Sequence, residues 1–374
     1  MKEYKTESIR NVAMVSHSGS GKTMLAEALL HFTGATTRMG SIQDGTTASD
    51  FDDEEVRRQI SLYTTVFPIE YNDHKINFLD TPGYTDFVGE EISALSVSDA
   101  AIVVVDSVSG LEVGTELAWS YCDKFNLPRL LLVNKMDREN ASFTKAINSV
   151  SEVIETRLVP VQIPWGEESS FQGVIDLFSM KAYKAGGEEV EIPAEFKDEA
   201  EAANMELVES AAEGSEALME KYFENGSLSS DEIMSGLAMG IRTGDVVPVF
   251  CSSATNEIGL TPLLNAILAL FPSPADRAPI MAVGAAGEEE LTCNDASALS
   301  AYVWKTTADP FVGKQTYFRV MSGVLEADNR YWNQEKDTEE RFGTVYIPRG
   351  KEMLPVKLLH AGDLAVVPKL SETA

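Results

Sequence analysis

Nowhere in the 374 residues does an apolar run approach the roughly 18 positions that a membrane-crossing helix needs. Cysteine is scarce: Cys122, Cys251 and Cys293 are scattered and odd in number, which excludes a disulfide framework and fits a reducing compartment. Four histidines without close Cys/His spacing argue against a zinc site. Positive charge is the third shortage. Thirty Lys+Arg face 59 Asp+Glu, a net charge of −29. Counterion release rewards basic surfaces, so bulk binding to DNA or other naked nucleic acid is excluded. The first ten residues are polar and charged, unlike a signal or transit peptide. No repeat or low-complexity tract is visible. These absences leave a soluble, cytoplasmic protein, expected to be monomeric and without a membrane partner.

What is present is an ordinary 44% of apolar residues and a length that suggests two or three domains, since single cores stop growing at roughly 250–300 residues. The acidity is uneven. Residues 166–232 carry 18 acids and 4 bases, whereas residues 281–374 carry 14 and 10. The acidic stretch is either a solvated surface or a docking face for a basic partner.

Short branched apolar runs at 11–15, 75–79, 101–105 and 129–133 alternate with helical spacing at 24–32 and 113–125, which implies βαβ units and a mostly parallel sheet. A strand at 246–250 and a helix at 260–270 continue that sheet. Ahead of that strand, 162–184 reads as short strands and turns. Phe196, Ala200, Ala203, Leu207 and Ala211 then mark an amphipathic helix over 195–212. The expected division is a sheet domain at 1–160 and 236–275, an insertion at 161–235, and an all-β unit at 285–374. Pro272, Pro274, Pro279, Gly284 and Gly287 form the linker. Strands are expected at 299–306, 314–321, 341–346 and 364–367.

Three short segments carry chemistry, each at the end of an apolar strand. Ser16, His17, Ser18, Gly19, Ser20, Gly21, Lys22 and Thr23 lie between a strand and a helix. Glycines let backbone N–H groups curl around phosphates, the lysine meets the β- and γ-phosphates, and the hydroxyl can hold Mg²⁺. Asp80, Thr81, Pro82 and Gly83 place a carboxylate for Mg²⁺ and a glycine whose N–H can approach a γ-phosphate. Asn134, Lys135, Met136 and Asp137 select guanine, because Asp137 can accept from its N1 and exocyclic N2 while Lys135 lies along the base. Ser252, Ser253 and Ala254 supply a fourth loop whose N–H can meet guanine O6. Taken singly, a Pro-Gly turn or a Gly-rich turn would explain much of this; in this order and on these strands they describe a guanine-nucleotide site.

That order resembles the translational GTPases. The 116 positions separating Asp137 from Ser253 resemble the insertion of the elongation factor G family, within which the chain looks most like the elongation-factor-G-like paralogues. Asp44-Gly-Thr-Thr, Phe87-Val-Gly-Glu-Glu, Asp309-Pro-Phe-Val-Gly-Lys and Phe318-Arg-Val-Met-Ser-Gly-Val-Leu agree with that family. The resemblance implies an α/β P-loop GTPase domain with a mostly parallel sheet, an inserted α+β subdomain, and an all-β translation-factor barrel. It also implies GTP/GDP and Mg²⁺ as ligands, GTP hydrolysis, and a ribosomal partner (RNA and protein) for the full-length protein. The family has further C-terminal domains, so the chain reads as an N-terminal fragment whose barrel stops near its last strand.

Residue by residue, the resemblance assigns Lys22 and residues 18–21 to the phosphates and gives Thr23, Ser61 and Asp80 to Mg²⁺. Gly83 would sense the γ-phosphate and Tyr84 would orient the attacking water. Residues 51–62 would be the first switch, with Ser61 standing where the family has threonine and Gln59 where it has glycine. Tyr84 stands where the family has histidine, and Ser18 and Gly19 replace an aliphatic residue and an aspartate. Tyrosine, with a pKa near ~10, cannot change charge near neutrality as histidine can. The sequence leaves open a slow or differently triggered GTPase, a GTP-held regulatory switch with little turnover, or another ribosomal GTPase of the protection or release-factor type. Lys305, Lys314 and Arg319 are either solvated charges or contacts to ribosomal RNA.

Overall fold

The computed structural model describes residues 1–284, 287–309 and 312–373, so Pro310 and Phe311 of the third family-like segment lie outside the described residues. The chain begins with β1 (Ile9–Val15), α1 (Lys22–Phe32), the short α2 (Asp53–Arg58), β2 (Thr65–Tyr71) and β3 (His74–Asp80). It continues with α3 (Val88–Ser96), β4 (Ala100–Asp106), α4 (Val113–Lys124), β5 (Arg129–Asn134) and α5 (Phe143–Ser151). After β6 (Arg157–Pro160) come β7 (Gln162–Trp165), β8 (Gly173–Asp176), β9 (Lys181–Lys184) and β10 (Glu189–Val190). Three helices follow, α6 (Lys197–Ala212), α7 (Glu216–Asn225) and α8 (Ser230–Thr243), and then β11 (Val246–Cys251) and α9 (Leu260–Leu270).

The main sheet runs β2-β3-β1-β4-β5-β11-β6. Only β2 is antiparallel to its neighbour. β1, β4, β5 and β11 are buried along their whole length, which is why their sequences are apolar without alternation. Val12 and Met14 face the core with Leu25 and Leu29 of α1. Ala13 and Val15 face the opposite core with Ala118 and Trp119 of α4. β2 has no counterpart among the expected strands because Pro68 interrupts its pattern. A proline removes a ladder donor and is tolerated on an edge strand, the position that β2 occupies.

The four short strands form an antiparallel sheet, β10-β9-β8-β7, next to the helices. In α6 the expected stripe is the packed face: Ala200, Leu207 and Ala211 are buried, with Phe196 and Ala203 beside them. The supposed linker is more ordered than a linker. Its second half is a hairpin of β12 (Ile280–Gly284) and β13 (Gly287–Leu291). Pro279 sits just ahead of it, where it removes no ladder bond.

The rest is antiparallel: β14 (Ser300–Asp309), β15 (Gly313–Ser322), β16 (Leu325–Glu326), β17 (Arg330–Asn333), β18 (Thr338–Arg341), β19 (Val345–Arg349), β20 (Glu352–Val356), β21 (Leu358–Leu359) and β22 (Leu364–Pro368). Its five-stranded sheet runs β14-β15-β22-β19-β20 over a core that includes Phe318, Val320, Ile347 and Val367. The single strand expected at 341–346 is two: β18 ends at Arg341, and β19 starts at Val345 beyond Gly343. Among the described residues no helix is long and apolar enough to cross a membrane.

This β-rich unit packs on the main sheet. Trp304 and Leu364 join Val66, Leu79, Ala94 and Val97 in one apolar cluster. Around it lie buried ions: Arg319 pairs with Asp99 at 2.8 Å and Lys75 with Asp363 at 2.8 Å. Asn11 donates to Asp99 at 2.8 Å, and Asn77 donates to Asn11 and Asp363 at 2.8 and 3.1 Å. Two bases considered as solvated or RNA-facing are therefore neither. Arg319 and Lys305 point inward: alternation with Phe318 and Val320 turns Arg319 toward the main sheet, and a register shift between Val303 and Lys305 lets Lys305 follow Trp304 to that side. Lys314 donates to the Thr373 carbonyl at 2.6 Å.

Candidate nucleotide-binding site

The loop between β1 and α1 needs two left-handed residues, and both are glycines: Gly19 at φ +83° and Gly21 at φ +100°. Gly21 also has no room for a side chain, since a Cβ there would lie 2.6 Å from Asn134 Nδ2. Lys22, on the first turn of α1, is buried, and its Nζ donates to the carbonyls of Ser16 and His17 at 3.1 Å each. Burial pulls its pKa down, while the charges of Asp80, Glu91 and Asp50 push it back up. Ser20 is buried and its hydroxyl has no partner among the described residues. A Cβ on Gly83 would stand 2.5 Å from Ser18 N and 2.7 Å from Lys22 Nζ, so glycine alone lets the end of β3 lie against this loop.

The residues expected to hold Mg²⁺ converge. Thr23 Oγ1 and Ser61 Oγ are 3.2 Å apart, although 38 positions separate them. Asp80 is buried beside them, and neither of its carboxylate oxygens has a hydrogen-bond partner among the described residues. Burial pushes its pKa up to about 6, against the pull of Lys22 and of the Thr23 and Ser49 hydroxyls nearby. Two hydroxyls and a buried, unpaired carboxylate fit a hard cation that keeps some of its waters.

Two further carboxylates belong to this neighbourhood and were missed in the sequence. Asp50 is buried, and its pKa rises to about 7 through burial and the charge of Asp80, with the Ser61 hydroxyl pulling the other way. Glu27 of α1 accepts from Gly40 N at 2.8 Å and Ala48 N at 2.5 Å, pinning the loop that leads to α2. Neither lies in a motif. The only signal was an acid at a helix position, Glu27, that the apolar spacing of α1 turns inward.

At the other end of the site, Asn134 ties three loops together. Its Nδ2 donates to Ser20 O at 3.2 Å, and its Oδ1 accepts from Ser252 Oγ at 3.1 Å and Ala254 N at 3.2 Å. Ser253 N donates to Ile258 O at 3.2 Å. The amides of Ser253 and Ala254 thus serve the protein's own loops here. Lys135 is left-handed at φ +63° and donates to Gly19 O and to Asp106 Oδ2, the latter at 2.9 Å. Burial alone would raise Asp106, but the Val108 amide, Lys135 and Arg138 together hold it below the usual carboxylate range. Asp106 ends β4 as Asp80 ends β3, and that shared position was the overlooked signal. Asp137 is half-buried, and its carboxylate makes no hydrogen bond to the described residues. Tyr84 is 43% exposed, at the mouth of the phosphate end, and its hydroxyl has no hydrogen-bond partner among the described residues.

Comparison with known proteins agrees with this geometry. The model of the elongation factor Tu GTP binding domain matches residues 7–273, and that of elongation factor G domain 2 matches residues 298–374. A crystal structure of a protein from Thermus thermophilus superposes with a TM-score of 0.85 at 34% identity, covering 97% of this chain and 52% of that one. The chain therefore spans about half the length of that structure.

Proposed function

Since the chain belongs to the translational GTPases through its elongation factor Tu GTP binding domain, we propose that it binds GTP with Mg²⁺, hydrolyses it to GDP and phosphate, and works on the ribosome as part of an elongation-factor-G-like protein. The observation that carries the reading is the convergence of Lys22, Gly83, Asp80 and the Thr23–Ser61 hydroxyl pair beside one loop, with Asn134 and Asp137 at its far side.

The roles follow from the chemistry of each group. The Lys22 ammonium, now satisfied by two carbonyls, is available to phosphate oxygens, which form stronger charge-assisted bonds. Thr23 and Ser61 would hold Mg²⁺ directly and Asp80 through water; the ion neutralises charge that develops on the phosphates. Gly83 N–H meets the γ-phosphate. Tyr84, with a free hydroxyl, orients water rather than accepting its proton. Asp137 takes the guanine N1–H and N2–H, and Lys135 flanks the ring.

A second reading rests on Tyr84. An exposed tyrosine gives weaker positioning than a held group, so the protein could serve as a GTP-held switch with little turnover. Phosphate release from GTP, with and without ribosomes, decides between them. Lys22→Ala serves as the blank, and Tyr84→His is the probe. Ribosome-stimulated release by the unaltered protein is expected. Bound GTP with no release, restored by Tyr84→His, would establish the switch instead.

A further inference from the structure

The segment that delivers Ser61 to Thr23 is held from both sides. Glu55 of α2 accepts from Leu62 N at 3.0 Å and Tyr63 N at 3.1 Å. Glu90 of α3 accepts from Thr64 N at 2.7 Å, and the Thr64 hydroxyl donates to the Glu90 carbonyl at 3.0 Å. A third group arrives from the β-rich unit. Lys305 of β14 donates to Thr64 O at 2.8 Å and to Glu90 Oε2 at 2.7 Å. Its ammonium lies 5.3 Å from the Tyr63 ring centre and 6.0 Å from that of Tyr317, and its side chain is only 7% exposed.

A lysine in such a place needs a reason. Burying an ammonium costs several kcal/mol, and an apolar side chain of similar volume would stabilise the same contact at least as well. What an apolar residue cannot do is hold a backbone carbonyl and a carboxylate at once. Lys305 closes a ring, Lys305–Thr64–Glu90, that exists only while residues 61–64 lie against α3. Three residues before the Thr64 carbonyl is the Ser61 hydroxyl, 3.2 Å from Thr23.

We propose that Lys305 is a positioning residue through which the β-rich unit holds Ser61 at the metal site, so that docking of that unit favours GTP over GDP. The inference rests on the nucleotide and Mg²⁺ reading above. With GTP, Ser61 is needed at the metal and the ring is formed. With GDP the segment is free to leave, and the ring opens. Linkage makes the effect mutual: GTP tightens the contact between the two units as much as the contact tightens GTP.

The test compares dissociation constants for a non-hydrolysable GTP analogue and for GDP, both with Mg²⁺, in the full chain and three variants. Lys305→Met is expected to weaken the analogue at least fivefold while GDP stays within twofold. Lys305→Arg, which keeps the charge and the donors, should recover most of that loss. Glu90→Gln opens the ring from its other side, should repeat the selective loss, and serves if Lys305→Met fails to fold. Equal losses for both nucleotides, or no loss for either, overturn the role of Lys305. An unaltered chain that binds neither nucleotide overturns the nucleotide reading itself, and this inference with it.

Discussion

Gln59 holds a backbone conformation that side chains pay for. It closes α2 at φ 57° and ψ 40°, with its N–H on the Glu55 carbonyl at 2.7 Å. A left-handed residue other than glycine costs roughly 1 kcal/mol. The sequence pointed to this position because the resembling family has glycine there, and the structure supplies the reason: the chain must turn sharply to bring Ser61 back to Thr23. Gln59→Gly is expected to stabilise the folded protein by about 0.5–1 kcal/mol, measured by urea unfolding. A loss instead would mean that the side chain itself braces the turn. Gly19 is the opposite case, a position where the family carries aspartate. Its backbone is left-handed at φ +83° and nothing lies within 4 Å of a Cβ there, so the backbone conformation and not a lack of space favours the glycine.

At the scale of elements, strands and helices with a strong period were readable and those with a broken one were not. β1, β4, β5 and β11 announce themselves by burial on both faces. β2 hides behind Pro68, and β6 is short and mostly exposed. The residues that the structure brings together at the candidate site were legible where a strand ends in a motif. Asp50 was not, because its place beside Ser61 depends on a loop that returns to α1, which no local pattern encodes, and Glu27 showed only as an acid on the inward face of α1. Helix ends carry local signals as well. α8 starts with a capping box in which Ser229 and Glu232 bond each other's backbone, so its beginning at Ser230 precedes the expected resumption of the sheet domain at 236. Ser229→Ala should cost about 1 kcal/mol, seen as a lower midpoint in urea at unchanged slope. An unchanged midpoint would show that packing of Leu237 and Ile241 alone sets this helix.

At the scale of the whole molecule, the contact between the two units is a cluster of apolar side chains ringed by buried charges. Asp99 is its centre, meeting Arg319, Arg277 and Asn11. Removing one member of such a group strands the other in a place water cannot reach, which costs about 3–5 kcal/mol. Asp99→Ala is therefore expected to lower stability by that order in urea. Its unfolding should also separate into two transitions as the units lose their grip on one another. A small loss with one transition retained would assign the coupling to Trp304 and its apolar neighbours instead. Acidic composition gave no hint of this arrangement, because net charge says nothing about which few bases are turned inward.

The edge strand β2 carries one more consequence. Gly350 N–H donates to Val66 O at 3.0 Å, and β19 lies alongside, so the β-rich unit shields part of the rim of the main sheet. Cut away from that unit, the rim would offer unpaired carbonyls and N–H groups, next to bared Val66, Leu79 and Val97, to any extended chain that came near. The second unit thus acts as a built-in guard against self-association, and a nucleotide-binding half made on its own would tend to precipitate.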